Sequence, residues 1–441
     1  MPDVATDLAT DAPTSIEPPI TLGEAPARSL GFPEQLVLWW NLGISLLLPV
    51  TAAFLLAPGM SLLAALVAIV VGSVLGNVLL GLSAVPGAET GAPAMVLFRG
   101  LFGRAGSVVP TVVNLAQCVG WATFEIVIIS ETADRVIGGG WRWPTVVVSG
   151  VIATLMAIRP LAVVKVMKRY LVWLVIASVA YFFIEVLRHD LPSLGAGNWN
   201  GFWLAVDLVV ALPVSWMPLA ADYSRQSRTG RDAFWGATLG YGAASILFFT
   251  LGVLVVMAMQ ADDVIGALIA LPAGAIALAI LAVDEIDEAF ANIYSTAVST
   301  QNLVPRLDRR MLAIVVGVLA TGLALVFDIV AYENFLFLIG SVFVPLYATF
   351  IVDYFVVRRG DWDTSEQAPA RWPMVIPWVT GFVAYQLINP GTVGWWARWW
   401  TARRDDLGFD PPSWLGGTLC SLVVAAVLAF VIGRATRRAA R

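Results

Sequence analysis

Long stretches without a charged side chain constrain this chain more than any other feature. Residues 35–88 contain no Asp, Glu, Lys or Arg, and neither do 105–124, 233–261, 264–283, 334–352, 372–397 or 411–433. A bilayer-spanning helix needs about 20 mostly apolar residues, and each run is close to that length or longer. The chain therefore reads as an all-α integral membrane protein. Its composition agrees: of 441 residues, 59% are hydrophobic and 13% charged, against roughly a quarter charged in soluble domains. A β-barrel would show short alternating segments, whereas these runs are continuous. Cys118 and Cys420 lie in separate apolar stretches and give neither a disulfide framework nor a thiolate metal site. The single histidine, His189, sits between Arg188 and Asp190 and reads as a loop residue. No basic stripe points to nucleic acid.

Twelve apolar segments can be placed, at about 36–57, 62–85, 108–133, 143–158, 168–187, 203–222, 234–259, 267–299, 311–331, 335–357, 373–390 and 413–433. Residues 1–30 are polar and lack the basic start and short apolar core of a signal peptide; they are expected to be a disordered cytoplasmic tail. With the N-terminus inside, the outer loops hold Arg135, Arg142, Arg188, Arg398, Arg403 and Arg404, and the other 20 of the 26 Lys and Arg face the cytoplasm. Positive residues favour that side, so both termini are expected to be cytoplasmic and the protein multi-pass in the cell membrane.

Twelve helices without a soluble domain leave few occupations. A membrane enzyme usually carries a catalytic or metal-ligand cluster in a loop, and a channel a repeated filter motif; neither stands out, and the chain reads as no enzyme. Transporters place Gly, Pro and rare polar groups inside helices, because unwound backbone is tolerated where it lines a cavity. The first segment contains Asn41-Leu42-Gly43-Ile44-Ser45-Leu46 with Pro49 beyond, which predicts a break with unpartnered carbonyls near Ser45. The sixth contains Pro213-Val214-Ser215-Trp216-Met217-Pro218, and its two prolines predict a second break in mid-membrane. Segments one and six are corresponding members of two five-helix halves, where inverted-repeat transporters place discontinuous helices.

Two further segments carry buried polar chemistry. In the third, Trp121 and Glu125 are four apart and share a helical face, beside Gly120, where something flat or another backbone can approach closely. An indole and a carboxylate on one face suit a planar, amino-bearing heterocycle. In the eighth, Asp284-Glu285-Ile286-Asp287-Glu288 interrupts an apolar run. On a continuous helix Asp284, Asp287 and Glu288 stand at i, i+3 and i+4, where three ionised carboxylates require a cation among them or a proton on at least one. Asp207, Asp222, Asp328 and Asp353 lie nearer helix ends and read as caps or loop anchors.

A set of short motifs runs through the same segments: Gly87-Ala88-Glu89-Thr90-Gly91; Arg99 with Phe102-Gly103 and Gly106-Ser107; Val119-Gly120-Trp121; Ala221-Asp222-Tyr223-Ser224-Arg225; Asn292-Ile293-Tyr294-Ser295; and Asp353-Tyr354-Phe355 before Arg358-Arg359. In this order the chain resembles the purine–cytosine permease branch of the nucleobase:cation symporter family, from about residue 36 to 360. The resemblance implies a LeuT-type fold of 12 transmembrane helices, with five plus five in an inverted repeat, two C-terminal helices added, and alternating access. It divides the chain into the tail 1–30, a transporter core 31–360, and a segment 361–441 of two additional transmembrane helices and a basic cytoplasmic tail.

By the same resemblance Trp121 is the stacking tryptophan of helix three. Glu125 falls where hydantoin and allantoin carriers use an amide, and Cys118 where the cytosine branch tends to have glutamine. The Ser215-Trp216 pair resembles members that carry hydroxymethylpyrimidine. The family's sodium site implies backbone carbonyls near Leu42 and Leu46 with helix-eight side chains, here Asp284, Asp287 and Glu288. Carboxylates can bind either ion, so the coupling ion is H+ or Na+, with the proton favoured; no cofactor is implied.

The resulting expectation is a secondary active importer, an ion-coupled symporter of a nucleobase or related pyrimidine such as cytosine or hydroxymethylpyrimidine. Trp121 and Trp216 would sandwich the ring, with Glu125, Cys118 and groups near Ser45 and Ser215 at its edge. The partners are a small planar heterocyclic substrate and the lipid bilayer, with no nucleic acid, and the protein is a monomer or weak homo-oligomer. The alternatives are an amino-acid carrier of the same fold and a non-transporting membrane sensor or channel.

Overall fold

The computed structural model describes residues 27–158, 160–261, 263–327, 332–412 and 414–439. Over those residues the chain is helical throughout, with two isolated β-bridges, Leu30 with Ser227 and Met60 with Asn198. The first apolar run is two helices, α1 (Phe32–Leu42) and α2 (Leu47–Leu55), bent by 62° at the break between them. There follow α3 (Leu62–Thr90), α4 (Ala94–Gly106), α5 (Val108–Val136), α6 (Arg142–Ile158), α7 (Pro160–Val186), α8 (Phe202–Ser224), α9 (Gly230–Met259) and the short α10 (Val264–Ile269). The eighth run is again split, into α11 (Gly274–Asp284) and α12 (Ile286–Leu303). The chain ends with α13 (Arg309–Ala324), α14 (Tyr332–Ile351) continued as π-helix over Val352–Arg358, α15 (Val375–Ile388), α16 (Gly394–Asp406) and α17 (Gly417–Ala439). Among the described residues six single helices, and the bent α1–α2 pair as a seventh, are long and apolar enough to cross a membrane.

The break in the first run lies where Gly43 and Pro49 predict it, but the proline acts differently from the expectation. Pro49 is the third residue of α2, in the first turn, where a backbone N–H has no intrahelical acceptor in any case. It starts the second half without orphaning carbonyls. The sixth run is a correction. Pro213 and Pro218 both lie inside α8, which runs unbroken through them. The apolar window of α8 is 94% buried, and its proline face lies against glycines of α3: a Cβ on Gly76 would fall 2.4 Å from Pro213 Cγ. Close packing on both sides holds the helix through the two missing donors.

The apolar core has two parts. One joins α1, α2, α3, α8, α9 and α14; the other joins α5, α6, α12 and α13. Trp121 belongs to the first and its neighbour Ala122 to the second, so the helix expected to face the substrate is also the seam. Residues expected to be tail are partly docked: Leu30 N–H donates to Gln226 O at 3.0 Å, Arg228 N–H donates to Leu30 O at 2.8 Å, and Arg28 reaches Glu89 O at 3.1 Å. Residues 1–26 of that tail lie outside the described residues. His189 is exposed just beyond α7, as a loop residue should be.

Candidate substrate and coupling site

Two facing breaks organise the centre of the molecule. At the first, Leu46 is the residue before α2, and the leading N–H groups of a helix need acceptors. The acceptor comes from the second break: Glu285, between α11 and α12, takes Leu46 N–H on Oε2 at 2.7 Å and the Ser45 hydroxyl on Oε1 at 2.7 Å. Beside it Asn41, at the end of α1, donates from Nδ2 to Asp287 Oδ2 at 2.9 Å. The split also changes the geometry expected of the acidic run. Asp284 closes α11 while Asp287 and Glu288 open α12, so the three do not share one continuous helical face. Asp284 Oδ2 and Glu288 Oε1 are buried without a hydrogen-bond partner among the described residues.

One turn further along α12, Asn292 donates from Nδ2 to both oxygens of Glu125, at 3.1 and 3.2 Å. Glu125 is 1% exposed and lies within electrostatic reach of both Glu285 and Glu288. Glu125, Glu285 and Glu288 therefore form one acidic group spanning α5 and both sides of the α11–α12 break. The ion pairs found among the described residues lie elsewhere.

Trp121 stands one turn before Glu125. Its ring meets Tyr332 and Phe335 edge-on, with centroids 5.8 and 5.3 Å away, and its Nε1 is buried without a hydrogen-bond partner among the described residues. The flat group that Gly120 admits is Phe335, whose Cε2 lies 2.6 Å from where a Cβ would be. Trp216 is held edge-on by Trp39 at 6.2 Å and tilted against Tyr241 at 6.0 Å. Among the described ring contacts the two tryptophans are not paired with each other.

Other expected site residues are committed to the protein itself. Ser45 donates to Glu285 and accepts from Leu47 N–H at 3.1 Å. Ser215 donates to Leu212 O at 2.6 Å, and its carbonyl accepts from Gln117 Nε2 at 2.9 Å. Cys118 reaches Asn114 Oδ1 at 3.5 Å, so Gln117, rather than its neighbour, ties α5 to α8. Leu46 contributes its N–H to Glu285, and its carbonyl accepts from Val50 N–H at 3.4 Å; Leu42 is buried as the last residue of α1. Sequence reasoning passed over Glu285, Asn41 and Gln117. Asn292 was visible as part of a motif, without a role.

The remaining motif residues join helix ends. Asp222 Oδ1 accepts from Ala94 N–H at 2.9 Å and caps α4, and Asp207 accepts from Gly417 and Thr418 N–H at 2.8 and 3.1 Å and caps α17. The aspartates are caps, but for helices distant in sequence; Asp328 lies outside the described residues. Tyr354 donates to Glu89 at 2.5 Å, Arg99 Nε to Asn302 Oδ1 at 2.8 Å, and Asp353 pairs with Arg371 at 2.8 Å. These contacts gather the ends of α3, α4, α8, α12 and α14 at one end of the bundle.

The chain is similar to known proteins over most of its length. The family model described as permease for cytosine/purines, uracil, thiamine, allantoin matches residues 26–373. A Bacillus subtilis protein named as a purine-cytosine permease, YxlA, is 24% identical over 374 residues, covering 78% of this chain and 80% of its own. The cytosine permease of Escherichia coli K12 is 23% identical over 338 residues, covering 72% and 78%. Among solved structures, Mhp1, a nucleobase-cation-symport-1 family transporter in a closed conformation with bromovinylhydantoin bound, superposes with a TM-score of 0.76. That match has 18% identity and covers 96% of this chain and 97% of Mhp1.

Proposed function

The chain belongs to the family of permeases for cytosine/purines, uracil, thiamine and allantoin, and from that premise we propose that it is an ion-coupled importer of an amino-bearing nucleobase or related pyrimidine, such as cytosine or hydroxymethylpyrimidine. It is a membrane transporter rather than an enzyme. The proposal includes twelve crossings in a five-plus-five inverted repeat with two C-terminal helices, alternating access, and both termini in the cytoplasm.

The observation that carries the reading is the pairing of Trp121 with the Glu125–Asn292 couple on the seam between the two core parts. The buried Trp121 Nε1 has no hydrogen-bond partner among the described residues, so it offers a donor, and the Glu125 and Glu288 carboxyl groups offer acceptors. A heterocycle with a ring nitrogen or carbonyl beside an amino group complements both. Stacking on Trp121, helped by Trp216, would add roughly 0.5–1.5 kcal/mol beyond area burial. The acids at the α11–α12 break, Asp284, Glu285, Asp287 and Glu288, hold the coupling ion in this reading, and the crowding of buried carboxyl groups there favours a proton.

The test is uptake into proteoliposomes of labelled cytosine, uracil, adenine and hydroxymethylpyrimidine, each under an inward proton gradient and an inward sodium gradient. Accumulation above the external concentration under the proton gradient supports the reading, and accumulation under sodium alone overturns the choice of ion. No accumulation of any compound overturns the transport reading. Trp121→Ala should weaken binding of the transported compound about 2- to 13-fold; unchanged affinity removes Trp121 from the site.

A further inference from the structure

The positive end of a broken helix is the place where this kind of fold holds an anionic group of its substrate. Here that place is taken. Glu285 lies across the start of α2 with both oxygens engaged, Oε2 by Leu46 N–H and Oε1 by the Ser45 hydroxyl, each at 2.7 Å. It is 1% exposed, and it comes from a helix break more than two hundred residues away in sequence. The carboxylate is thus built in, at a helix end where a substrate carboxylate would otherwise be bound.

Its neighbours reinforce the effect. Glu285 acts electrostatically on both Glu125 and Glu288, and Tyr332, which packs on Trp121, lies within electrostatic reach of all three. Glu288 Oε1 and Asp284 Oδ2 are buried with no hydrogen-bond partner among the described residues. Those oxygens accept and cannot attract an anion. Arg135, Arg188, Arg371, Arg403 and Arg404, which make the described ion pairs, are bonded to Asp263, Glu185, Asp353, Asp406 and Asp405.

We propose that Glu285 sets the charge selectivity of the site: by occupying the N-terminus of α2 it restricts transport to heterocycles that arrive neutral or cationic, and rejects those that carry a carboxylate. The inference rests on the proposed function and narrows its substrate class. It also separates this chain from an amino-acid carrier, which would need the α2 end for the substrate's own carboxylate. Glu285 is a positioning and selectivity residue; Trp121, Glu125 and Asn292 remain the groups that meet the ring.

The test compares ligands that differ only in charge. Cytosine and uracil are offered to the purified full-length protein beside cytosine-5-carboxylate and orotate, with the two matching carboxamides as neutral ligands of equal size. Wild-type protein is expected to bind each carboxamide at least about tenfold more tightly than its carboxylate, because like charges in a dry site repel strongly. Glu285→Gln keeps the shape and one acceptor but not the charge, and should shrink that ratio several-fold; Glu285→Asp keeps the charge and should preserve it. A Glu285 needed only to hold the helix would weaken both ligands together in Glu285→Gln and leave the ratio unchanged, which overturns the proposal. Tighter binding of the carboxylates by wild-type protein also overturns it. Wild-type protein that binds none of the six compounds, and neither adenine nor hydroxymethylpyrimidine, instead refutes the proposed function, and the selectivity claim falls with it.

Discussion

The buried ion pair between Asp353 and Arg371 offers a measurable test of how the motif-bearing ends of the helices are held. Asp353 has no exposed side chain and Arg371 has 14%. The guanidinium is bidentate on the carboxylate, Nη1 to Oδ2 at 2.9 Å and Nη2 to Oδ1 at 2.8 Å, and also donates to Gly100 O at 2.6 Å. Trp362 Nε1 gives Asp353 a third donor at 2.8 Å. Removing one partner of a buried pair costs about 3–5 kcal/mol because the other charge is left unpaired. Asp353→Ala leaves a guanidinium that keeps Gly100 and some solvent, so its loss should lie near about 3 kcal/mol. Arg371→Ala leaves a fully buried carboxylate with one indole donor, so its loss should be the larger, near about 5 kcal/mol. The double variant should fall short of the sum by about 2 kcal/mol, since the two residues share one interaction. Equilibrium unfolding in mixed detergent micelles measures all three. Additivity within about 0.5 kcal/mol, or Asp353→Ala being the more damaging, refutes the reasoning.

Three other outcomes follow from the packing. Gly76→Ala places a Cβ 2.4 Å from Pro213 Cγ and should destabilise by about 1–3 kcal/mol, whereas Gly322→Ala on α13 meets nothing within 4 Å and should stabilise by about 0.5–1 kcal/mol; the same unfolding assay reads both. Asn302→Ala removes the acceptor of Arg99 and the donor to Thr111 at 2.9 Å, and should cost about 1.5–3 kcal/mol, with Asn302→Asp retaining more stability than Asn302→Ala. Beyond α9, burial raises the Asp263 carboxyl, but the outweighing hydrogen bond and charge of Arg135 hold it below the usual range. A depressed carboxylate stabilises above its unfolded value, about 3.9, and that contribution is lost as pH falls through the folded value. With 61% of the Asp263 side chain exposed, the effect should stay below about 1 kcal/mol. It should appear as a steeper stability loss below about pH 4 in wild-type protein than in Asp263→Asn.

The helical architecture was legible because the bilayer imposes it: runs lacking any charge could fold in few other ways. The short buried helix α4 was not, because its one central charge, Arg99, disguises an apolar run that includes Met95, Phe98, Leu101 and Phe102. That buried arginine donates hydrogen bonds to Asn302, about two hundred residues away. Proline reading misled at α8, since two missing donors break a helix only where nothing packs the gap, and the glycine face of α3 is invisible in the sequence of α8. In the acidic run, helical spacing selected Asp284, Asp287 and Glu288 and set Glu285 aside as out of phase. The helix breaks at Glu285, so the phase argument no longer applies. A clue was present, however: a broken first helix leaves N–H groups that need an anion, and the run held one carboxylate more than the spacing used.

That surplus carboxylate ties the architecture to the chemistry. Inside a bilayer, N–H groups at a helix break cannot turn to water, so Leu46 N–H needs an acceptor from the protein, and Glu285 supplies it from the other break. Any motion that draws α12 away from α2 separates them. It leaves a buried carboxylate and a buried N–H both unpaired, and the carboxylate is much the costlier of the two. A proton or a cation arriving on Glu285 removes that larger cost. Glu288 Oε1 and Asp284 Oδ2 lie on either side in sequence without hydrogen-bond partners among the described residues, and in the proposed reading would share the same ion. In the proposed reading, ion arrival and the parting of the two breaks would be linked through one residue, and coupling would need no relay across the membrane. If that linkage governs transport, Glu285→Gln should carry substrate across in exchange yet lose accumulation against a gradient, because its amide pays no charge penalty when the breaks part. Retained accumulation in that variant would place the coupling ion elsewhere.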